Sequence, residues 1–242
     1  MPPSDPVRAR GIDAANGSSQ CVPAGARVRD LPAGAHLCLF YDEDPREQLP
    51  TLVPFIKQGL EHGERCVYVA DDMTVFQVHR ALADAGVDAL REMARGALML
   101  LTRADWRQPG ALDPELKAAQ VRGMIEGAID AGFTGVRFGI EMTWTLGPTI
   151  DAALLRRSEA TTSTIFTPGT PARIICQYSR SRLTPGALHA GLVTHPQAIL
   201  RDGLYANPFY AAPAILSQEG AYDPGEITAA SVQSMLERLT PA

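Results

Sequence analysis

Two histidines and two cysteines lie in or beside apolar runs of this chain, and an imidazole near a thiol can do more than one kind of chemistry. His36 and Cys38 stand two residues apart in His36-Leu-Cys-Leu-Phe-Tyr41. In an extended strand they share one face, about 7 Å apart along the backbone. Cys176 and Tyr178 lie in Arg173-Ile-Ile-Cys-Gln-Tyr178, Glu141 and Trp144 in Gly139-Ile-Glu-Met-Thr-Trp144, and His195 in Thr194-His195-Pro196. Three chemistries compete for these residues. The first is a metal or haem site, with His36, Cys38 and His195 as ligands, although no pair has a diagnostic spacing. The second is a thiolate nucleophile, Cys38 or Cys176, activated by His36 or His195. Against it, a cysteine inside an apolar strand is usually an inert small hydrophobe. The third is a pocket for a small, largely apolar ligand, walled by aromatic rings and thiols, with a few polar anchors. His36, Cys38, Tyr41, Glu141, Trp144, Cys176, Tyr178 and His195 are its candidate residues. Glu141 is the best anchor, and its ordinary alternative is to cap a turn.

The elements that must position these groups follow from hydrophobic period. Apolar runs at 36–41, 65–70, 97–102, 135–140 and 173–178 read as buried strands. Between them, helices are expected at about 45–62, 73–85, 88–95, 113–131 and 149–165, then at 185–192 and 225–239, with a short strand near 197–200. Leu116, Ala119, Met124, Ile125, Ala128 and Ile129 are assigned to the buried side of the 113–131 helix. Alternating strands and amphipathic helices give an α/β fold: three layers around a mainly parallel sheet. Ligands of such sheets sit beyond the carboxyl ends of the strands. The turn after Tyr41 therefore matters. Asp44 reads as an N-cap, Pro45 as the first helical residue and Glu47 as the end of an Asp-x-x-Glu capping box. A phosphate cradle there would need glycines and a Gly-Lys-Ser/Thr sequence. The turn holds instead Asp42, Glu43, Asp44 and Glu47, so it is charged against phosphate.

The composition sets outer bounds. With 242 residues and a net charge of −5, the chain suits one large α/β domain and has no basic face for direct nucleic-acid binding. It has no apolar run of about 18 residues and no signal-peptide core, so a cytoplasmic protein without a membrane span is expected. Its four cysteines, Cys21, Cys38, Cys66 and Cys176, are then reduced, and none forms a Cys-x-x-Cys pair. Residues 1–30, rich in Pro, Ala, Gly, Arg and Ser, read as a flexible arm that holds Cys21. Residues 31–213 read as the folded domain, and 214–242 as a loop and a last helix.

Taken together, His36-Leu-Cys38, Glu47-Gln48-Leu49, Pro54-Phe-Ile56, Gly63-Glu-Arg-Cys-Val-Tyr68, Gly139-x-Glu-Met-Thr-Trp144, Cys176-Gln-Tyr178, Thr194-His195-Pro196 and Asn207-Pro-x-Tyr210 resemble the MEDS family. These are sensory domains of the methanogen/methylotroph, dichloromethane-dehalogenase-regulator type. The resemblance covers about residues 30–213. It implies a RecA/KaiC-like P-loop-type fold that lacks the P-loop, with Ile140-Glu141 where the acid of the second nucleotide motif would fall. It also implies a non-enzymatic sensor without ATPase activity. Such a sensor binds a small, hydrocarbon-derived ligand and signals to a regulatory protein such as a histidine kinase, an anti-sigma factor or a transcription factor. A homo-oligomer is compatible with such relatives. No cofactor is implied, with metal or haem as the alternative. The family tends to carry Tyr-Glu-Ala and a nearby Asn in the helix after Trp144. Here Ser158-Glu159-Ala160 stands there, so Glu159 carries over as a ligand residue and the Tyr and Asn do not.

Overall fold

The computed structural model describes residues 27–42, 44–201, 203–216, 222–223 and 225–241, so Cys21, Glu43 and most of the expected arm lie outside the described residues. One sheet runs through the described chain in the order β3-β2-β4-β5-β1-β6-β7-β8. Its strands are β1 (His36–Tyr41), β2 (Arg65–Ala70), β3 (Leu98–Thr102), β4 (Val136–Glu141), β5 (Ala172–Ser179), β6 (Gln197–Leu200), β7 (Gly203–Ala206) and the two-residue β8 (Thr240–Pro241). β1 to β6 pair in parallel, and β7 and β8 close the edge antiparallel. β5 lies between β1 and β4. The turn after Tyr41 and the end of β4 therefore share one edge of the sheet, two strand places apart, as the sequence resemblance requires.

Helices cover both faces. On one side pack α1 (Leu49–Glu61), α2 (Val75–Asp84) and α3 (Ala89–Ala94), whose Leu52, Phe55, Val78, Leu82 and Ala89 meet Leu37, Leu39, Cys66 and Tyr68. On the other pack α5 (Pro114–Asp130), α6 (Ala152–Ser163), α7 (Pro185–Thr194) and α9 (Ala229–Glu237). Two short helices, α4 (Arg103–Trp106) and α8 (Pro213–Leu216), fill connections. This is the three-layer, mostly parallel α/β architecture expected. Strands that are buried on both faces read as continuous apolar runs, which is why their positions were legible.

Several local readings change. Asp44 does cap a 3₁₀ turn, accepting the Arg46 N–H, but the reciprocal box does not form. Glu47 instead accepts the N–H of Asp42. Thr74, not Asp71 or Asp72, caps α2 through a true capping box with Gln77. α5 is rotated from the expected face. Leu116 and Ile129 are exposed, while Lys117, Ala118, Val121, Ile125 and Ala128 turn inward. The 103–112 and 214–224 segments, read as loops, contain α4 and α8. The last segment packs Val232 and Leu236 into the α5–α7 side of the core.

Gly191 shows how tightly α7 approaches the sheet. A Cβ there would lie 2.7 Å from Cζ of Tyr178 and 2.9 Å from two more ring atoms. Gly191→Ala should therefore force Tyr178 aside and destabilise the protein by about 1–3 kcal/mol in urea unfolding. Unchanged stability would show that the helix can retreat without loss.

Candidate functional site

The structure separates the candidate residues into two groups on opposite faces of the sheet. Side chains alternate along a strand, so Arg137, Gly139 and Glu141 of β4 face α1, while Phe138 and Ile140 face α5. His36 and Cys38 face the α5–α7 side from β1. His36 stands at the amino end of its strand and Glu141 at the carboxyl end of its own. The expected single pocket at the carboxyl edge, holding both residues, is thus replaced by two clusters. A register of two residues per repeat cannot bring them together.

On the α1 side, Glu141 is completely buried and fully engaged. Its Oε2 accepts the backbone N–H groups of Asp71 at 2.8 Å, Asp72 at 2.5 Å and Met73 at 3.1 Å. Its Oε1 accepts the Tyr68 hydroxyl at 2.7 Å. Three successive N–H groups form an anion nest, and here the nest's anion is the protein's own carboxylate. Burial pushes the Glu141 carboxyl up to about 7, against the hydrogen bonds that pull it down. Tyr41 donates to Asp72, which also pairs with Arg182. Glu141 does cap a turn, but that of a neighbouring strand rather than one that follows it. Glu141→Ala would leave the three amides without their acceptor and should cost about 3 kcal/mol in denaturant unfolding.

On the other side a second cluster forms from four elements. His36 comes from β1, Cys176 and Tyr178 from β5, Glu159 from α6, and His195 from the residue that ends α7. One ligand-type atom from each of His36, Glu159, Cys176 and His195 lies within 4.8 Å of the others, and all four residues are buried. The two imidazole centroids are 4.0 Å apart. His195 Nδ1 lies 2.7 Å from the Gly191 carbonyl oxygen. That oxygen can only accept, so Nδ1 carries the hydrogen and Nε2 bears the lone pair. His36 Nδ1 lies 3.0 Å from Ser163 Oγ, whose own hydrogen goes to the Glu159 carbonyl oxygen at 2.8 Å. His36 is therefore the same tautomer. Both Nε2 lone pairs face the cluster, one 3.8 Å from Cys176 Sγ and the other 3.6 Å from Glu159 Oε2. His195 Nε2 has no hydrogen-bond partner at all. Burial drives both imidazoles to the neutral form, His195 down to about 4. Asn207 fixes the end of α7 by donating to the carbonyls of Leu192 at 2.5 Å and His195 at 2.7 Å. Cys38 shares the His36 face but stays apart, its thiol directed at the Gln197 carbonyl at 3.6 Å. Burial pushes the Cys38 and Cys176 thiols up, so neither is a ready thiolate nucleophile.

Beside this cluster lies a small cavity of about 20 Å³, walled by Trp106, Lys117, Trp144, Glu159, Thr162 and Cys176 among others. Sequence reasoning missed two of its walls. Lys117 was not named at all, and Trp106 was placed in the polar loop expected at 103–112. Lys117 Nζ sits 3.7 Å from the Trp106 ring centroid and 4.8 Å from that of Trp144. It donates to the Trp106 carbonyl at 2.7 Å. Its position at i of an i, i+4, i+8, i+11 row with Val121, Ile125 and Ala128 was the available signal. Both indole N–H groups are buried without partners. Trp144 is held by Arg107, which donates to its carbonyl. A cavity of this size holds about one water-sized group, so no slot for a haem opens here.

Glu159 and Lys117 meet across this space. Burial pushes Glu159 up to about 7 from its usual 4.5, and Lys117 down to about 7, each opposed by the other's charge. A raised carboxyl keeps its proton in the folded state, so its contribution is complete below the unfolded value and is lost as pH rises through 7. Stability should fall by on the order of 2 kcal/mol from this group between pH 5 and 8. Glu159→Gln should remove that loss, read as a smaller drop in denaturation midpoint across the same range.

A much larger cleft, about 730 Å³, is elsewhere, beyond the carboxyl ends of β1 and β5. It is lined by Asp42, Glu47, Arg180, Leu188, Val232 and Leu236 among others, and Arg180 pairs with Asp42 at 2.6 Å. None of the candidate residues lines it. It occupies the place of a phosphate cradle and presents carboxylates.

The chain is thus a three-layer α/β domain with an acidic turn after its first strand and a buried His/Cys/Glu cluster between sheet and helices. Residues 35–196 match the family described as MEDS, the methanogen/methylotroph, DcmR sensory domain, and the chain belongs to that family. It is thus one of a family of sensory domains. A comparison with curated proteins finds no match. No helix among the described residues is long and apolar enough to cross a membrane.

Proposed function

We propose that this protein is a non-enzymatic sensor whose ligand enters the cavity between Trp106, Trp144, Lys117 and Glu159. One observation carries the reading: a small, aromatic-walled space with two unpartnered indole N–H groups, lined by a buried ammonium and a buried carboxyl. Such a space suits a molecule of one or two heavy atoms that offers an acceptor or a polarisable atom. A small hydrocarbon derivative meets that description. The cavity touches α5 through Lys117, α6 through Glu159 and Thr162, β5 through Cys176 and the turn after β4 through Trp144. Filling it would shift two outer helices against the sheet. That shift is the signal passed to a regulatory partner, of the histidine-kinase, anti-sigma or transcription-factor kind. The acidic turn after β1 supports the absence of ATP hydrolysis, which a phosphate-release assay with Mg-ATP checks.

The two tryptophans of the chain both wall this cavity, so intrinsic fluorescence reports on it directly. Titration with methanol, methanethiol or chloromethane, each of two heavy atoms, should change the emission saturably and raise the melting temperature. Lys117→Met should weaken the responding probe at least tenfold. Flat fluorescence and melting curves with all three probes, or a response that survives Lys117→Met unchanged, would remove the cavity as the sensing site.

A further inference from the structure

We propose that His36, Glu159, Cys176 and His195 form a four-coordinate site for a divalent transition ion of the zinc class. This goes beyond the small-molecule reading and does not require it, although the two sites share Glu159 and Cys176.

The donor set is the first argument. Two imidazoles, a thiol and a carboxyl are the borderline ligands that a tetrahedral zinc-class ion takes. The distances are the second. Bonds of 2.0–2.3 Å set the edges of such a tetrahedron at about 3.3–3.8 Å. The pairs Glu159 Oε2 to His195 Nε2, at 3.6 Å, and Cys176 Sγ to His36 Nε2, at 3.8 Å, already have that length, and no ligand atom lies more than 4.8 Å from another. Side-chain rotations of an ångström or less would close the rest.

The third argument is the surrounding shell. A metal-binding histidine is held by a hydrogen bond from its other ring nitrogen, often to a backbone carbonyl. His195 donates in this way to Gly191 and His36 to Ser163, so both lone pairs are presented inward. Glu159 is steadied in the same way by the Tyr178 hydroxyl at 3.3 Å. His195 is wholly buried, and its Nε2 is aimed at this group with nothing to accept from. A buried lone pair without a partner is unfavourable unless something comes to it. The fourth argument is charge. An ion of charge +2 bound by one thiolate and one carboxylate leaves the interior neutral, with the thiol proton, and the carboxyl proton where present, released to solvent. Cys38, the ligand suggested by its spacing from His36, is not part of the set, because its thiol points to Gln197.

The test uses the full chain, stripped with a chelator and titrated with cobalt(II). One equivalent should bind, giving the strong visible bands of tetrahedral cobalt and a near-ultraviolet thiolate-to-cobalt band, both removed by added zinc. Cys176→Ser should abolish the near-ultraviolet band, whereas Cys38→Ser and Cys21→Ser should keep it. Ser163→Ala should keep the bands but weaken affinity about 10–100-fold, the range for losing a group that orients a ligand. A wild-type protein folded by circular dichroism that shows no tetrahedral cobalt spectrum would overturn the site. So would a thiolate band that survives Cys176→Ser. The tryptophan response to the organic probes is read on the stripped protein, so the ion and the small-molecule reading can fail separately.

Discussion

A parallel sheet covered by helices on both faces has two interiors, and no side chain can serve both. That constraint governs where this protein keeps its chemistry. β1, β4 and β5 lie side by side at the centre of the sheet, and each sends alternate residues to opposite layers. Glu141 goes to the α1 side, while His36, Cys176 and Tyr178 go to the α5–α7 side. Residues that stand close in the sequence motifs of the family are thereby sorted into two compartments about one sheet thickness apart.

The two compartments treat a buried carboxylate in opposite ways. Glu141 is saturated by three backbone N–H groups and a tyrosine hydroxyl, so it holds the loop after β2 against the end of β4. An acid at the carboxyl end of a central parallel strand stands where such sheets usually place a ligand. Here it is consumed by structure. A third buried acid, Glu64, is equally spoken for, bridging Arg137 and Arg173 at 2.5 Å each at the amino edge of the sheet. Glu159 alone of these three has neither amide nor guanidinium partners among the described residues; a thiol, a tyrosine hydroxyl, an unpartnered imidazole nitrogen and the Lys117 charge surround it. Native interiors satisfy nearly all buried polar groups. Unfinished satisfaction concentrated at one place, next to a small aromatic cavity, is therefore the strongest local reason to place sensing there.

The architecture also suits a signalling role without catalysis. The cavity draws its walls from several elements and each member of the His/Cys/Glu cluster comes from a different one, and α6 and α7 pack against each other. A change of occupancy at their common boundary is felt by both helices at once, because close-packed interiors transmit displacement rather than absorb it. The large cleft at the carboxyl edge lacks this property. It opens at the surface, and its Asp42 and Arg180 already pair with each other.

The sequence by itself determined the layers, the strand positions, the acidic turn and the family motifs. Each is written in local period or in short-range spacing, which survive without knowledge of the fold. It also named residues of the two clusters: His36, Glu141, Cys176 and His195 stand out as exceptions in or beside apolar runs, whereas Glu159, in a polar stretch, was named only through the family resemblance. It could not say that Glu141 and His36 part company. Alternation along a strand becomes a division of space only when the sheet is covered on both sides. Nor could it find Lys117, whose charge argued for solvent although its helical row ran into the core. The burial of that ammonium depends on two tryptophan rings, 11 residues before it and 27 after it, closing over it in three dimensions. Long-range packing decided which polar groups were left unsatisfied, and that remainder, not the motif list, marks the site.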